Sequence, residues 1–350
     1  MKEIFFIGSY AKAEETGVYA AEFDNETGEV RLLGSYAGLQ NPTFLSIDAD
    51  DRRLYAIAEL LGPDGGKRGA VAAFAIDASH GLSLLNIEET VPAPTCHVEL
   101  DRTRRWLLTS SYHGGMVGVT PVYEEGQVGP ASDIQRHQGS SVLPVQDRPR
   151  AHSATIDRNN RFAVVCDLGA DRIVTYRLDE ASGKLIYASS VAAAPGAGPR
   201  HFAFHPSRML GYAINELNST VAVYTYDEMS GELAEIQTVP TLPDDFRGDN
   251  ACADIHISPD GKFLYGSNRG HDSIVVYRID VDGRLSWVEH ASVLGAHPRN
   301  FALTPDGSYV LAANRDTNDV VVFRRNAATG KLRPTGHRLN VSKPVCIKFL

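Results

Sequence analysis

The strongest constraint on this chain is a repeat. Six twelve-residue windows align without a gap: DADDRRLYAIAE (48–59), DRTRRWLLTSSY (101–112), DRNNRFAVVCDL (157–168), HPSRMLGYAINE (205–216), SPDGKFLYGSNR (258–269) and TPDGSYVLAANR (304–315). Their starts are 53, 56, 48, 53 and 46 residues apart. A period of this size belongs to solenoids, propellers and arrays. Each copy has a short apolar strand, a polar turn and a second apolar strand. A further motif follows, as in VVVFRRNAATGKL (320–332), IVVYRIDVDGRL (274–285), VAVYTYDEMSGEL (221–233) and IVTYRLDEASGKL (173–185). Its valine, isoleucine and tyrosine suit a pleated surface. Its Asp and Gly turns tolerate positive φ. Each repeat therefore holds about four strands joined by hairpins, the content of one propeller blade.

The two ends complete the count. PVCIKFL (344–350) reads as a first strand with no second strand after it. IFFIGSY (4–10) reads as a second strand with no first strand before it. Pairing them makes a seventh blade and removes the open edges. The expected fold is all-β: one seven-bladed β-propeller domain over 1–350, with four-stranded antiparallel blades and a ring closed by the terminal strands. The longest irregular stretch, about 132–151, carries GSSVLP (139–144) and is expected to be functional or mobile.

Composition narrows the function. The net charge of −9 argues against a general nucleic-acid binder, which needs a basic stripe to neutralise phosphates. A few arginines can still make a local positive pocket. No stretch approaches 18 apolar residues, so no membrane span is expected. The N-terminal apolar run is too short for a signal peptide, which predicts a cytoplasmic protein. The cysteines, Cys96, Cys166, Cys252 and Cys346, show neither CxxC spacing nor a disulfide framework. No P-loop, HExxH or G-x-S-x-G motif occurs. No metal and no cofactor are expected. The oligomeric expectation is a monomer or weak homo-oligomer.

In a propeller the innermost strands line a central channel. The windows end on Glu59, Tyr112, Leu168, Glu216, Arg269 and Arg315, with Tyr10 as the N-terminal equivalent. Five residues before each window stand Thr43, Cys96, His152, Arg200, Ala253 and Arg299. Two rings of mostly polar side chains thus flank the inner strands. Charged groups there require pairing or solvation. Glu59, Arg299 and Arg315 read as channel or rim salt-bridge partners, and Tyr112 as packing or a pocket wall.

The segments HS (152–153), DLGADRI (167–173), GAGPRHFAFHP (196–206), NELNST (215–220), ADIHISPDGKFLYGSNRGHDSI (253–274) and PRNFALTPDG (298–307) resemble the lactonase family of seven-bladed propellers. That family includes bacterial 6-phosphogluconolactonases and is related to fungal carboxymuconate cyclases. The resemblance spans essentially the whole chain, with GSY (8–10) and NPTFLSID (41–48) also fitting. Arg150 and Arg315 depart from it, standing where a histidine and a glutamine are expected. The resemblance implies a catalytic set of His152, Arg200, Glu216 and Arg269. His201, Asp254, His256 and Asn268 follow as substrate-binding neighbours. Asp254 and His256, two apart on one strand face, also read as a brace between blades.

These residue types suit lactone opening. A carboxylate or imidazole can take the proton of the attacking water. A guanidinium can stabilise the oxyanion, and another can bind a phosphate bidentately. The expected assignment is Glu216 or His152 as general base, with Arg200 and Arg269 divided between oxyanion and phosphate. The leading expectation is hydrolysis of 6-phospho-D-glucono-1,5-lactone, a small anionic substrate. The alternatives are a lactonase or cycloisomerase for an unphosphorylated substrate, and a non-catalytic binding scaffold. A scaffold predicts apolar rim patches rather than convergent His, Arg and Glu.

Overall fold

The computed structural model describes residues 2–350. Among these residues lie seven four-stranded antiparallel sheets. Blade 1 runs from Leu45 to Val91, blade 2 from His97 to Arg136 and blade 3 from Ala151 to Ala192. Blades 4, 5 and 6 cover Pro199–Pro240, Ala251–Ser292 and Pro298–Asn340. Blade 7 takes its inner strand, Pro344–Phe349, from the C-terminus. Its three outer strands come from the N-terminal segments Lys2–Ser9, Thr16–Asp24 and Val30–Ala37. The closing register pairs Phe5 with Phe349, Ile7 with Ile347 and Gly8 with Cys346. The ends pair as their half-blade patterns require.

Burial explains why the strands read differently in sequence. Second strands such as Leu210–Asn215 and Tyr309–Asn314 are buried at every residue, because neighbouring blades cover both faces. Outer strands such as Leu332–Asn340 are mostly exposed. The core therefore lies between blades. Tyr212, Ile214, Val221 and Val223 of blade 4 pack against Leu264, Val275 and Tyr277 of blade 5. Buried tyrosines still need partners for their hydroxyls. Tyr212 donates to the Gly283 carbonyl and Tyr265 to the Gly330 carbonyl, each at 2.9 Å. Each bond ties a second strand to the outer hairpin of the next blade.

The 132–151 stretch is more ordered than expected. Asp133–Arg136 is the outer strand of blade 2, paired with Met116–Val119. The loop after it carries one short 3₁₀ turn, Pro144–Gln146. Side chains pin it to blade 3. His137 Nδ1 meets Asp167 Oδ2 at 2.7 Å, Ser141 donates to Asp171 at 2.6 Å, and Gln146 donates to the Leu168 carbonyl at 2.8 Å. No helix among the described residues is long and apolar enough to cross a membrane.

Candidate active site

Antiparallel pairing brings the start of each inner strand beside the end of the second strand. In blade 4, Pro199 pairs with Asn215. The two residue rings read from the sequence thus gather at one face of the channel. A second device aims the side chains. The pairing of blade 3 skips His152, that of blade 4 skips Arg200 and that of blade 6 skips Arg299. Each of these residues is an extra one at a β-bulge, a distortion that re-aims a side chain.

Acidic hairpin residues hold the loops that lead to these bulges. Asp171 accepts hydrogen bonds from the Gly196 and Gly198 amides, at 2.6 and 2.7 Å, just before Arg200. Asp272 accepts from the His297 amide at 2.8 Å, just before Arg299. Gly198 has φ of +66°, and a side chain there would strike Leu217 and Leu168. The loop geometry requires glycine.

At the centre of this face, Glu216 sits between two arginines. Its Oε2 is 2.9 Å from Arg200 Nε and its Oε1 is 3.1 Å from Arg269 Nη2. Burial alone would raise the Glu216 carboxyl. The charges of Arg269, Arg200 and Arg299 outweigh it and hold the group below the usual carboxylate range. Arg200 is only 2% exposed. Burial, then the charges of Arg299 and Arg269, lowers its pKa, yet it stays cationic at neutral pH. Arg200 Nη1 donates to the Ala253 carbonyl and contacts His201 Nε2 at 3.2 Å. Arg269 donates to the Ala251 and Cys252 carbonyls, at 3.1 and 2.6 Å. Among the described residues, Arg200 Nη2 and Arg269 Nη1 have no protein acceptor.

His152 completes the group. Its ring lies 5.3 Å from that of His201 and 5.8 Å from that of Tyr112. Its Nδ1 is buried and has no hydrogen-bond partner. Burial, reinforced by Arg200, holds its pKa well below the usual imidazole value, so the ring is neutral at pH 7. Tyr112 forms a wall, with the Arg150 guanidinium 4.7 Å from its ring centre.

Of the four residues expected to bind substrate, His201, Asp254 and His256 form one hydrogen-bonded chain and Asn268 lies apart from it. His201 lies directly beneath Arg200, and its Nδ1 is 2.7 Å from Asp254 Oδ1. Because Arg200 donates to Nε2, the proton of His201 sits on Nδ1. Asp254 also meets His256 Nε2 at 2.9 Å and receives a 2.5 Å bond from Asn300. It thereby links blades 4, 5 and 6 across the channel. His256 faces the opposite mouth, in a cavity of about 340 Å³ shared with Glu99, Arg102 and Lys348. Asn268 is fully buried, and its amide serves Thr241 and Ser273. It presents no open polar atom to the channel.

Of the three expected rim pairs, Glu59 meets Lys67 at 2.7 Å and Arg315 meets Asp316 at 2.6 Å. Arg299 differs. It forms no ion pair among the described residues, and its guanidinium lies 5.7 Å from the centre of the Tyr10 ring. The sequence carried the relevant signal, because Arg299 shares its ring position with His152 and Arg200. Among the described residues, no three His, Cys, Asp or Glu side chains are grouped to hold a metal ion.

Comparison with known proteins agrees with this architecture. The family model described as "Lactonase, 7-bladed beta-propeller" matches residues 4–349. A Bacillus subtilis 6-phosphogluconolactonase is 37% identical over 352 residues, covering 100% of this chain and 99% of its own. The crystal structure of a putative 6-phosphogluconolactonase from Bacteroides fragilis superposes with a TM-score of 0.91 at 34% identity, covering 100% and 98% of the two chains. A periplasmic gluconolactonase from Pseudomonas aeruginosa gives 0.93 at 30% identity, covering 100% and 99%. Repeat, ring closure and full-length similarity together establish that this chain belongs to the lactonase family of seven-bladed β-propellers.

Proposed function

We propose that this protein hydrolyses 6-phospho-D-glucono-1,5-lactone to 6-phosphogluconate, in the cytoplasm, as a step of the oxidative pentose phosphate pathway. The observation that carries the reading is the clamp of Glu216 between Arg200 and Arg269, beside a neutral, unpartnered His152. With Arg299, three guanidiniums surround one carboxylate, so the site attracts an anion. The 6-phosphogluconolactonase relatives favour the phosphorylated lactone.

Glu216 is a weak proton acceptor while both its oxygens face arginines. His152 is the better base, because its ring is neutral and its Nε2, unlike the buried Nδ1, is open to water and has no hydrogen-bond partner among the described residues. In this reading water attacks the lactone carbonyl and gives its proton to His152. The open N–H groups of Arg200 and Arg269 receive the developing oxyanion. The ring C–O bond then breaks, and the departing oxygen takes the proton back from His152. The product acid releases one proton to water. Glu216 holds both guanidiniums in place and limits their mutual repulsion.

The test is hydrolysis of freshly made 6-phosphogluconolactone near pH 6.5, with spontaneous opening subtracted, with and without chelator. Chelator-resistant activity that falls at least about a hundredfold in His152→Ala and in Glu216→Gln supports the reading. A wild-type protein with no activity on this lactone overturns it. The periplasmic gluconolactonase neighbour favours one second reading, an unphosphorylated sugar lactone. The same assay with glucono-1,5-lactone decides between them.

A further inference from the structure

Arg299 stands at this face without an ion pair among the described residues. Arg200 and Arg269 are both engaged by Glu216 and by backbone carbonyls. Neither has a whole guanidinium edge free for a bidentate partner. Arg299 is partly exposed and has no carboxylate or carbonyl partner. Its bulge position matches those of His152 and Arg200, so the backbone aims all three at one face. Its charge acts on Glu216, Arg200 and Arg269 and, on the other side, on His297.

The Tyr10 ring beneath Arg299 also lines an open cleft of about 630 Å³. Lys12, Asn41, Arg315 and Lys343 share that cleft. The Lys12 and Lys343 side chains form no ion pair among the described residues, while Arg315 is held by Asp316. Glu15 and Asp316 are the acidic groups present. Glu15 accepts from the Lys12 backbone amide at 3.1 Å. Arg315 and Asp316 pair with each other, which leaves Lys12 and Lys343 against Glu15 and a net positive charge in the cleft, and the Tyr10 ring joins the cleft to Arg299.

We infer that Arg299 and the adjoining cleft at Tyr10, Lys12 and Lys343 form a subsite for a phosphate monoester, the anionic end of the substrate. The inference rests on the lactonase reading of the same site. It assigns phosphate recognition to Arg299 and leaves Arg200 and Arg269 to the reacting carbonyl. A guanidinium edge suits a phosphate because two parallel N–H bonds fit its oxygens.

The experiment compares kcat/KM for the phosphorylated and unphosphorylated gluconolactones in wild-type protein, Arg299→Met, Arg299→Lys and the double variant Lys12→Ala/Lys343→Ala. Arg299→Met is expected to lose about tenfold to a hundredfold on the phosphorylated lactone, the range of charge-assisted hydrogen bonds. It should lose at least about tenfold less on the free lactone than on the phosphorylated one, with an unchanged melting temperature, since no buried partner is orphaned. Arg299→Lys should recover part of the loss. The lysine pair should show a smaller loss, again confined to the phosphorylated substrate; no loss there removes the cleft from the subsite. Equal losses on both lactones, or none on the phosphorylated one, overturn the inference. If wild type hydrolyses neither lactone, the functional reading fails instead. Calorimetric binding of inorganic phosphate then decides the subsite: binding abolished in Arg299→Met retains it, and no binding to wild type overturns it.

Discussion

Glu216 Oε2 lies 2.9 Å from the Nε of Arg200, a guanidinium that is almost wholly buried. The two residues flank one hairpin of blade 4, and the bulge at Arg200 turns its side chain toward the carboxylate. A buried ion pair adds little net stability when whole, because both charges are desolvated. Breaking it by removing one partner is far more damaging.

Glu216→Gln should therefore be both inactive and destabilised. It leaves Arg200 and Arg269 cationic, close together and without a counter-charge. The expected stability loss is about 3–5 kcal/mol, read as a lower urea midpoint with an unchanged slope. Adding Arg269→Met should recover part of that stability, because one of the repelling charges is gone, but no activity. A full-strength midpoint in the single variant would show that solvent already neutralises the clamp.

The buried imidazoles predict acid sensitivity above the carboxylate range. Burial, with help from nearby cations, lowers the pKa of His97 and His152 well below 6.5, and that of His201 to about 4. An unfolded chain protonates all three near 6.5. Between 6.5 and the folded values the unfolded state binds more protons, so stability falls as pH falls. Each group contributes up to about 1.4 kcal/mol per pH unit. Glu216, held below 4.5 when folded, begins to lose its contribution only below that pH. Melting temperature should thus decline between pH 6.5 and 4.5 before any carboxylate effect. His97 stacks on Phe44 at 4.3 Å and its Nδ1 has no partner. His97→Phe should keep the fold and flatten that decline by about one imidazole's share. An identical pH slope in His97→Phe would remove this imidazole from the account.

Asp254 is expected to matter through His201. Burial works against its charge, but His256 and His201 overcome that and hold its carboxyl well below the usual range. Asp254→Ala strands the His201 Nδ1–H, the Asn300 amide and His256. A stability loss of about 3 kcal/mol is expected. His201 should then rotate or change tautomer, which weakens its support of Arg200. The expected kinetic signature is a fall in kcat larger than any rise in KM. A variant that changes stability with wild-type kcat would confine Asp254 to bracing the blades.

The fold was legible because its physics is periodic. Each window repeats the same turn and a largely buried second strand, and the unmatched half-blades at the two ends declare the closure. The candidate site was legible in part, since gapless alignment placed His152, Arg200 and Arg299 in one ring and Glu216 and Arg269 in another. What alignment could not supply was pairing. Arg299 reads like any rim arginine until its lack of a carboxylate partner is seen. Asn268 sits beside Arg269 in sequence, but successive strand residues point to opposite faces, which sends its amide to Thr241 instead of the channel. The bulges depend on hydrogen-bond register between strands and leave no distinct residue pattern.

Asn300 joins the closure to the site, and this gives the last prediction. Its Oδ1 accepts from the Ile347 amide at 2.7 Å, in the inner strand of blade 7, while its Nδ2 donates to Asp254. One amide thus couples the C-terminal strand to the channel brace. Asn300→Leu is close in size but satisfies neither bond, leaving a buried N–H and part of a buried carboxylate without partners. The expected cost is about 2–4 kcal/mol. Because Ile347 pairs with Ile7 of the N-terminal strand, the loss should loosen closure first. Hydrogen exchange should therefore rise in Lys2–Ser9 and Pro344–Phe349 before it rises in blades 2 and 3. Exchange that rises evenly around the ring would mean that the closing blade unfolds only with the whole, and that Asn300 is an ordinary core contact.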